Sequence, residues 1–319
     1  MSWVEKIAGI SLISMLVFNA AGASAQTVQS KPIRFVTSAV GSSSDLSARV
    51  IAQALGGTGV QSVVVDNRAI VAIETAAKAA PDGHTLLVYG SPLWLAPFLR
   101  SNPSWDVWRD FSPVTLAIRS PNVLVVHPSV AVKTVKELIA LARARPGELN
   151  YGSGSSGSST HLAAELFKSM AGVNIVRIPY KGVGQALGDA IAGQVQVIMP
   201  NTGAAMVHVK SGRLRGLAVA SAEPSVLAPG LPTVAASGVP GYEAVAMSGF
   251  FVPVRTSQAL IDRLNRDIVR ILNQPDSREK FFNAGGEPVG DSPKEFAAKI
   301  KGEMLRMGNV IRETGIREE

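Results

Sequence analysis

The sequence predicts an α/β protein built as two lobes, and three observations predict it. Short apolar runs of strand length alternate with stretches of helical period along most of the chain, the pattern of sheets covered by helices. The 319 residues exceed what one hydrophobic core usually serves. Two apolar segments, near 115–125 and 247–253, are placed to cross from one lobe to the other and back. The lobes they delimit are 26–123 plus 247–319, and 124–246. In such a fold ligands bind between the lobes, at the carboxyl ends of strands.

Taken in order, 31–38 reads as the first strand and 40–45 as a Gly/Ser turn. A helix follows with Leu46, Val50, Ile51 and Leu55 on one face, ending at Gly56-Gly57. A strand at 62–66, a helix near 73–80 stopped by Pro81-Asp82-Gly83, and a strand at 85–89 opening onto Gly90-Ser91-Pro92 come next. Strands at 114–118 and 122–127 flank Ser120-Pro121. Thr134 with Glu137 three residues later makes a capping box for a helix that Pro146-Gly147 ends. Beyond the central stretch lie a strand at 175–180, a helix at 184–192, a strand at 195–199, a helix reaching Lys210 and a strand at 214–220. A Pro/Gly-rich connection at 224–240 precedes the crossing strand at 248–254. Ser257 is positioned to cap a helix over 258–273, and Ser292-Pro293-Lys294-Glu295 combines N-cap, first-turn proline and capping box for the last helix.

The central stretch, 149–172, concentrates the chemistry. A short apolar piece ends at Tyr151, eight residues of only Gly and Ser follow, and a helix starts near Thr160 with Leu162, Ala163, Leu166, Phe167 and Met170 on one stripe. Strand, Gly/Ser loop and helix N-terminus together make an anion site, because the first N–H groups of a helix have no intrahelical partner and its dipole favours negative charge. Gly152 to Gly157 also fit the G-x-G-x-x-G spacing of dinucleotide sites. That fingerprint needs an acidic residue about 20 positions on, and none lies between Glu165 and Asp189. An anion loop is the favoured reading over a nicotinamide site or a bare flexible loop, and no cofactor is expected.

Composition narrows the classes. Apolar residues make up 46% and charged residues 17%, a globular balance. Cysteine is absent, which removes disulfides, thiolate nucleophiles and thiolate metal sites. The four histidines show no metal-binding spacing and read as surface or cap residues. No G-x-S-x-G elbow accompanies the many serines, which argues against a hydrolase. Net charge is +7 but dispersed, and aromatics are only 6%, so no nucleic-acid partner is expected. At the start, Lys6, an apolar run from Ile7 to Phe18 and Ala23-Ser24-Ala25 read as a signal peptide spanning 1–25, cleaved after Ala25, and imply a periplasmic or secreted protein.

Several blocks resemble one known family. They are Lys31-Pro32-Ile33-Arg34, Asp66-Asn67-Arg68, Ala80 to Leu87, Asp110 to Val114, Pro146 to Tyr151, His161-Leu162-Ala163, Glu165-Leu166-Phe167, Pro179 to Gly182, Leu231 to Val234 and Pro240 to Glu243. The chain is similar to the periplasmic solute receptors of tripartite tricarboxylate transporters, often called Bug or TctC-like proteins. The resemblance covers essentially the whole mature chain. It implies a clamshell α/β fold of the type II periplasmic-binding kind, with a parallel or mixed sheet in each lobe. It further implies a non-enzymatic, monomeric receptor that holds a small carboxylate between the lobes and delivers it to the membrane components of a transporter. A membrane sensor is the alternative partner, in a receptor that has turned to signalling. Where the family commonly reads P-G-G-x-x-D this chain has Val40 to Asp45, and where an Asp often precedes Asn201 it has Pro200.

The candidate binding residues follow from both readings. Gly41, Ser42, Ser43, Ser44 and Asp45 form the first loop, with Asp45 also a natural N-cap. Ser91 ends the third strand. Gly154, Ser158, Ser159 and Thr160 belong to the central loop. Lys181 can balance an anion or sit solvated, and Asn201 occupies a strand-end loop where Asn is also a common turn residue.

Overall fold

The computed structural model describes residues 31–40, 42–56, 62–154 and 156–317. The signal-peptide expectation for 1–25 therefore lies outside the described residues. The first half begins β1 (Ile33–Thr37), α1 (Ser43–Gly56), β2 (Val63–Asn67), α2 (Val71–Ala77), β3 (Thr85–Gly90), α3 (Pro92–Leu99), α4 (Val107–Asp110) and β4 (Phe111–Pro121). The chain continues through β5 (Val123–Val126), α5 (Val135–Ala144), β6 (Asn150–Ser153), α6 (Ser159–Ala171), β7 (Val176–Pro179), α7 (Val183–Ile191), β8 (Val197–Ile198), α8 (Thr202–Lys210) and β9 (Arg215–Val219). It ends with β10 (Val245–Pro253), α9 (Gln258–Leu272), α10 (Pro275–Asn283), β11 (Glu287–Pro288) and α11 (Pro293–Thr314).

Two mixed sheets result. One runs β11-β4-β10-β3-β1-β2 and the other β7-β6-β8-β5-β9. In the first, β1 pairs in parallel with β2 and β3, while β10 runs antiparallel between β3 and β4. In the second, β6 is parallel to β7 and β8, and β5 is antiparallel to β8 and β9. The antiparallel members are the crossing strands and their neighbours. A strand entering from the other lobe need not follow the right-handed crossover that keeps successive βαβ strands parallel.

The chain passes between sheets at two adjacent points. Ala220 N–H donates to Asn122 O and Ala244 N–H to Ala220 O, both at 2.8 Å, and Asn122 N–H reaches Ala244 O at 3.2 Å. A third junction is a backbone approach: Thr202 Oγ1 and Ser120 Oγ donate to Gly285 O at 3.0 and 2.6 Å, and Gly203 lies directly against Gly285. Helix α11 closes one side. It packs on α3 and β4 of the first lobe and on α6 of the second.

The helix-start signals succeed where chemistry dictates them. Ser292 Oγ accepts from Glu295 N–H and the Glu295 carboxylate accepts in return, a full capping box. Thr134 Oγ1 accepts from Glu137 N–H at 3.2 Å, but the Glu137 carboxylate takes the N–H of Lys133, so the expected box is half formed. Gly172 ends α6 at φ 61°. Ser257 holds the N-cap position of α9 without a side-chain bond. Helices α3 and α10 were not legible. Pro97 stands inside α3, whose buried residues surround it, so no one-sided stripe marks it.

Candidate ligand-binding site

The loops after β1 and β6 deliver the N-termini of α1 and α6, one from each lobe, to a common cavity of about 230 Å³. On the α1 side, Ser42 Oγ accepts from Asp45 N–H at 3.1 Å and shares a hydrogen bond with Ser38 Oγ at 2.6 Å. The helix ladder opens with Leu46 N–H to Ser42 O at 3.0 Å, so the Ser43 and Ser44 N–H groups have no intrahelical acceptor. Ser44 Oγ accepts from the buried Ser248 Oγ at 3.0 Å, which leaves its own proton available.

On the α6 side, Ser158 is the N-cap, accepting from His161 N–H at 3.4 Å and sharing a bond with Thr160 Oγ1 at 3.0 Å. Leu162 N–H bonds to Ser158 O at 2.9 Å, so the Ser159 and Thr160 N–H groups lack an intrahelical acceptor. The loop is held from below. Arg177 donates to Ser153 Oγ, Ser156 Oγ and Gly154 O at 2.9 to 3.3 Å. Gly157 adopts φ +76°, where a Cβ would stand 2.9 Å from Leu99 Cδ1.

Of the surface or cap roles expected of His161, the structure rules out the surface one. The ring is buried, and Nδ1 accepts the Gly157 N–H at 3.2 Å. Burial, assisted by the nearby Arg177 charge, lowers its pKa to about 4. Only the neutral ring accepts that bond. Since the folded pKa lies below the unfolded value of about 6.5, the stability from this group is complete above pH 6.5 and lost as pH falls toward 4. Thermal midpoints followed from pH 7 to pH 4 should therefore fall more steeply for the wild type than for His161→Gln. Parallel curves would show that the ring does not hold the loop.

Ser42, Ser43, Ser44, Ser91, Ser158 and Ser159 line the cavity. Five other candidates do not. Asp45 is buried behind the first loop, accepting from Asn67 Nδ2 and pairing with Arg49, each at 2.9 Å. Gly154 N–H donates to Thr160 Oγ1 at 3.1 Å, so both shape the loop from within. Lys181 is exposed in the bend before α7. Asn201 caps α8, taking the Ala204 N–H at 2.9 Å. Gly41 lies outside the described residues.

Sequence reasoning missed the remaining wall, which comes from 243–247 and α11. Ser91 Oγ donates to Glu303 Oε1 at 2.8 Å and Trp94 Nε1 to Oε2 at 2.9 Å. Burial raises the Glu303 pKa to about 7, against the weaker opposing pull of those two bonds. Arg306 pairs with Glu243 at 3.2 Å beside it. The signal was available: Glu303 sits at helical spacing among Phe296, Ile300, Met307 and Val310, an acid inside an apolar stripe.

The arrangement can bind an anion between two helix N-termini. Among the described residues no group of three or more His, Asp or Glu side chains is placed to hold a metal ion. The family model described as tripartite tricarboxylate transporter family receptor, TctC, matches residues 47–316. The chain belongs to this receptor family. The curated relative BugT of Bordetella pertussis is 36% identical, with 99% of each chain covered. Among solved structures, R. palustris Rpa4515 with adipate is 33% identical with a TM-score of 0.78, covering 91% of this chain and 98% of its own. MatC (Rpa3494) from Rhodopseudomonas palustris with bound malate is 26% identical with a TM-score of 0.73, covering 88% and 98%. As in those TctC-type proteins, the fold is a two-lobed α/β clamshell. Of the three first-loop serines that line the cavity, Ser42 stands where the P-G-G-x-x-D pattern has its second glycine.

Proposed function

We propose that the protein is a periplasmic receptor that captures a small carboxylate-bearing solute between its lobes and hands it to the membrane components of a tripartite tricarboxylate-type transporter. It is exported with the leader removed after Ala25, and it works as a monomer without enzymatic activity. The observation that carries this reading is the convergence of α1 and α6: Ser43, Ser44 and Ser159, whose three N–H groups have no intrahelical acceptor, line one cavity from two lobes, with the hydroxyls of Ser43 and Ser159 beside them. A carboxylate accepts from both termini at once and so favours the closed form, which is the state a transporter can recognise. The cavity of about 230 Å³ is smaller than those that hold drug-sized ligands, in keeping with a small acid. Adipate and malate in the two related structures belong to the same class.

The test is a thermal-shift screen of the mature chain against mono-, di- and tricarboxylates, followed by calorimetric titration of the hits. A ligand at about 100 times its dissociation constant stabilises by roughly 2.7 kcal/mol. Ser159→Leu places an apolar chain in the cavity at the α6 terminus and should weaken a hit by about 100-fold while leaving the apo midpoint within a few degrees. Unaltered affinity in that folded variant would remove the central loop from the site, and silence from every carboxylate would overturn the receptor reading.

A further inference from the structure

One titratable group in the cavity is not used by an anion-binding site. Glu303 is 6% exposed, and both its oxygens accept from neutral donors, the Ser91 hydroxyl and the Trp94 indole. Among the described residues no Lys, Arg or His forms an ion pair with it; Arg306, one turn further along α11, is paired with Glu243 instead. A buried carboxylate without a counter-charge is costly, and ion-pairing or protonation normally relieves it. Here the cavity is open to a third solution, a cation or donor brought by the ligand. Each oxygen keeps an unused lone pair. The Ser91 proton is committed to Glu303, so Ser91 offers the ligand no donor; along this wall the Nε–H of Arg306 is buried without a partner.

We propose that Glu303 is a specificity-determining residue that selects solutes carrying a hydrogen-bond donor, an ammonium group above all, in addition to the carboxylate held by the helix N-termini, and that it disfavours a second carboxylate. This deepens the carboxylate-receptor reading and rests on it. A second carboxylate would meet the two carboxyl groups of Glu303 and Glu243 and could be answered only by the unpartnered Nε–H of Arg306, whose Nη1 Glu243 already holds. An ammonium group would meet two acceptors. The raised pKa of Glu303, about 7, agrees with a carboxylate waiting for a cation. The charged groups acting on it are Arg306, which favours its ionisation, and Glu243, which opposes it. Around it, α3 and β10 carry no titratable side chain, β3 brings Tyr89, β4 brings Arg119, and α6 brings His161, Glu165 and Lys168.

The experiment is calorimetric titration of the full mature protein and of Glu303→Gln with four five-carbon probes: pentanoate, L-2-aminopentanoate, 5-aminopentanoate and glutarate. Expected is that one of the amino acids binds the wild type about tenfold tighter or more than pentanoate and glutarate, and that Glu303→Gln erases this preference. Because Glu303 ionises across pH 7, affinity for that amino acid should rise by up to about tenfold from pH 6 to pH 8 in the wild type and stay flat in the variant. The wild-type series and its pH profile stand even if the variant does not fold. Glutarate or pentanoate binding tightest, or an amino preference that survives in Glu303→Gln, would overturn the proposal and leave the carboxylate reading standing. No binding by any of the four, with hits absent from the wider carboxylate screen, would overturn both.

Discussion

Phe251→Ala should destabilise the protein by about 4 kcal/mol, the cost of emptying an aromatic-sized space in a rigid core. Phe251 is fully buried at the centre of crossing strand β10, with ring centroids 6.0 Å from Trp94, 6.4 Å from Phe111 and 5.1 Å from Phe296. Those three partners lie on or beside α3, β4 and α11, so the site cannot collapse onto the gap without moving three elements. Urea unfolding measures it as a lowered midpoint with an unchanged slope. The same ring stands behind the cavity wall, since Trp94 also holds Glu303 and Phe296 sits two turns before it on α11. Ligand affinity should therefore drop as well, even where the variant is folded. A loss under about 1 kcal/mol would mean that these aromatics are not the joint between sheet and cavity wall.

Gly285→Ala is the second large effect, and it acts at the third junction between the lobes. The residue has φ +79°, and a Cβ built there falls inside the van der Waals shell of the Gly203 backbone. The approach is equally close from the other side, since a Cβ on Gly203 would stand 2.7 Å from Ala284 O. Left-handed strain of roughly 1–2 kcal/mol adds to an overpacking cost of about 1–3 kcal/mol. The expected loss of about 3 kcal/mol corresponds to a midpoint lowered by roughly 5 to 10 °C in a differential scanning experiment. The displacement should also break the Thr202 and Ser120 bonds to Gly285 O. A variant as stable as the wild type would show that the junction opens freely.

What was legible in the sequence depended on whether a local rule decided it. Ser292 and Thr134 began helices because a hydroxyl three residues before an N–H is a local fact, and Gly172 ended one because φ 61° suits glycine. The two helix N-termini of the cavity were legible for the same reason: a strand, a run of small residues and an apolar stripe follow one another in the chain. Long-range placement was not. Asp45 and Thr160 carry the right groups at the right loops, yet Asn67, Arg49 and Gly154 claim them. Glu303 lies 212 residues from Ser91, and no local signal says that they touch. Lys181 shows the limit from the other side: a cation in a plausible loop points to water.

The strand orders carry a consequence for how the molecule is assembled. The five strands of the second sheet all come from one unbroken stretch, 123–219, and can pair while the rest of the chain is still unfolded. The first sheet cannot. Its central strand β10 inserts between β3 and β4, which precede it by more than a hundred residues, and β11 comes later still. Until 245–253 arrive, β3 and β4 each present an open edge of the kind that invites pairing with other chains. The second lobe can thus form early and locally, whereas the first waits for the end of the polypeptide, and the slow step in folding should be the insertion of β10.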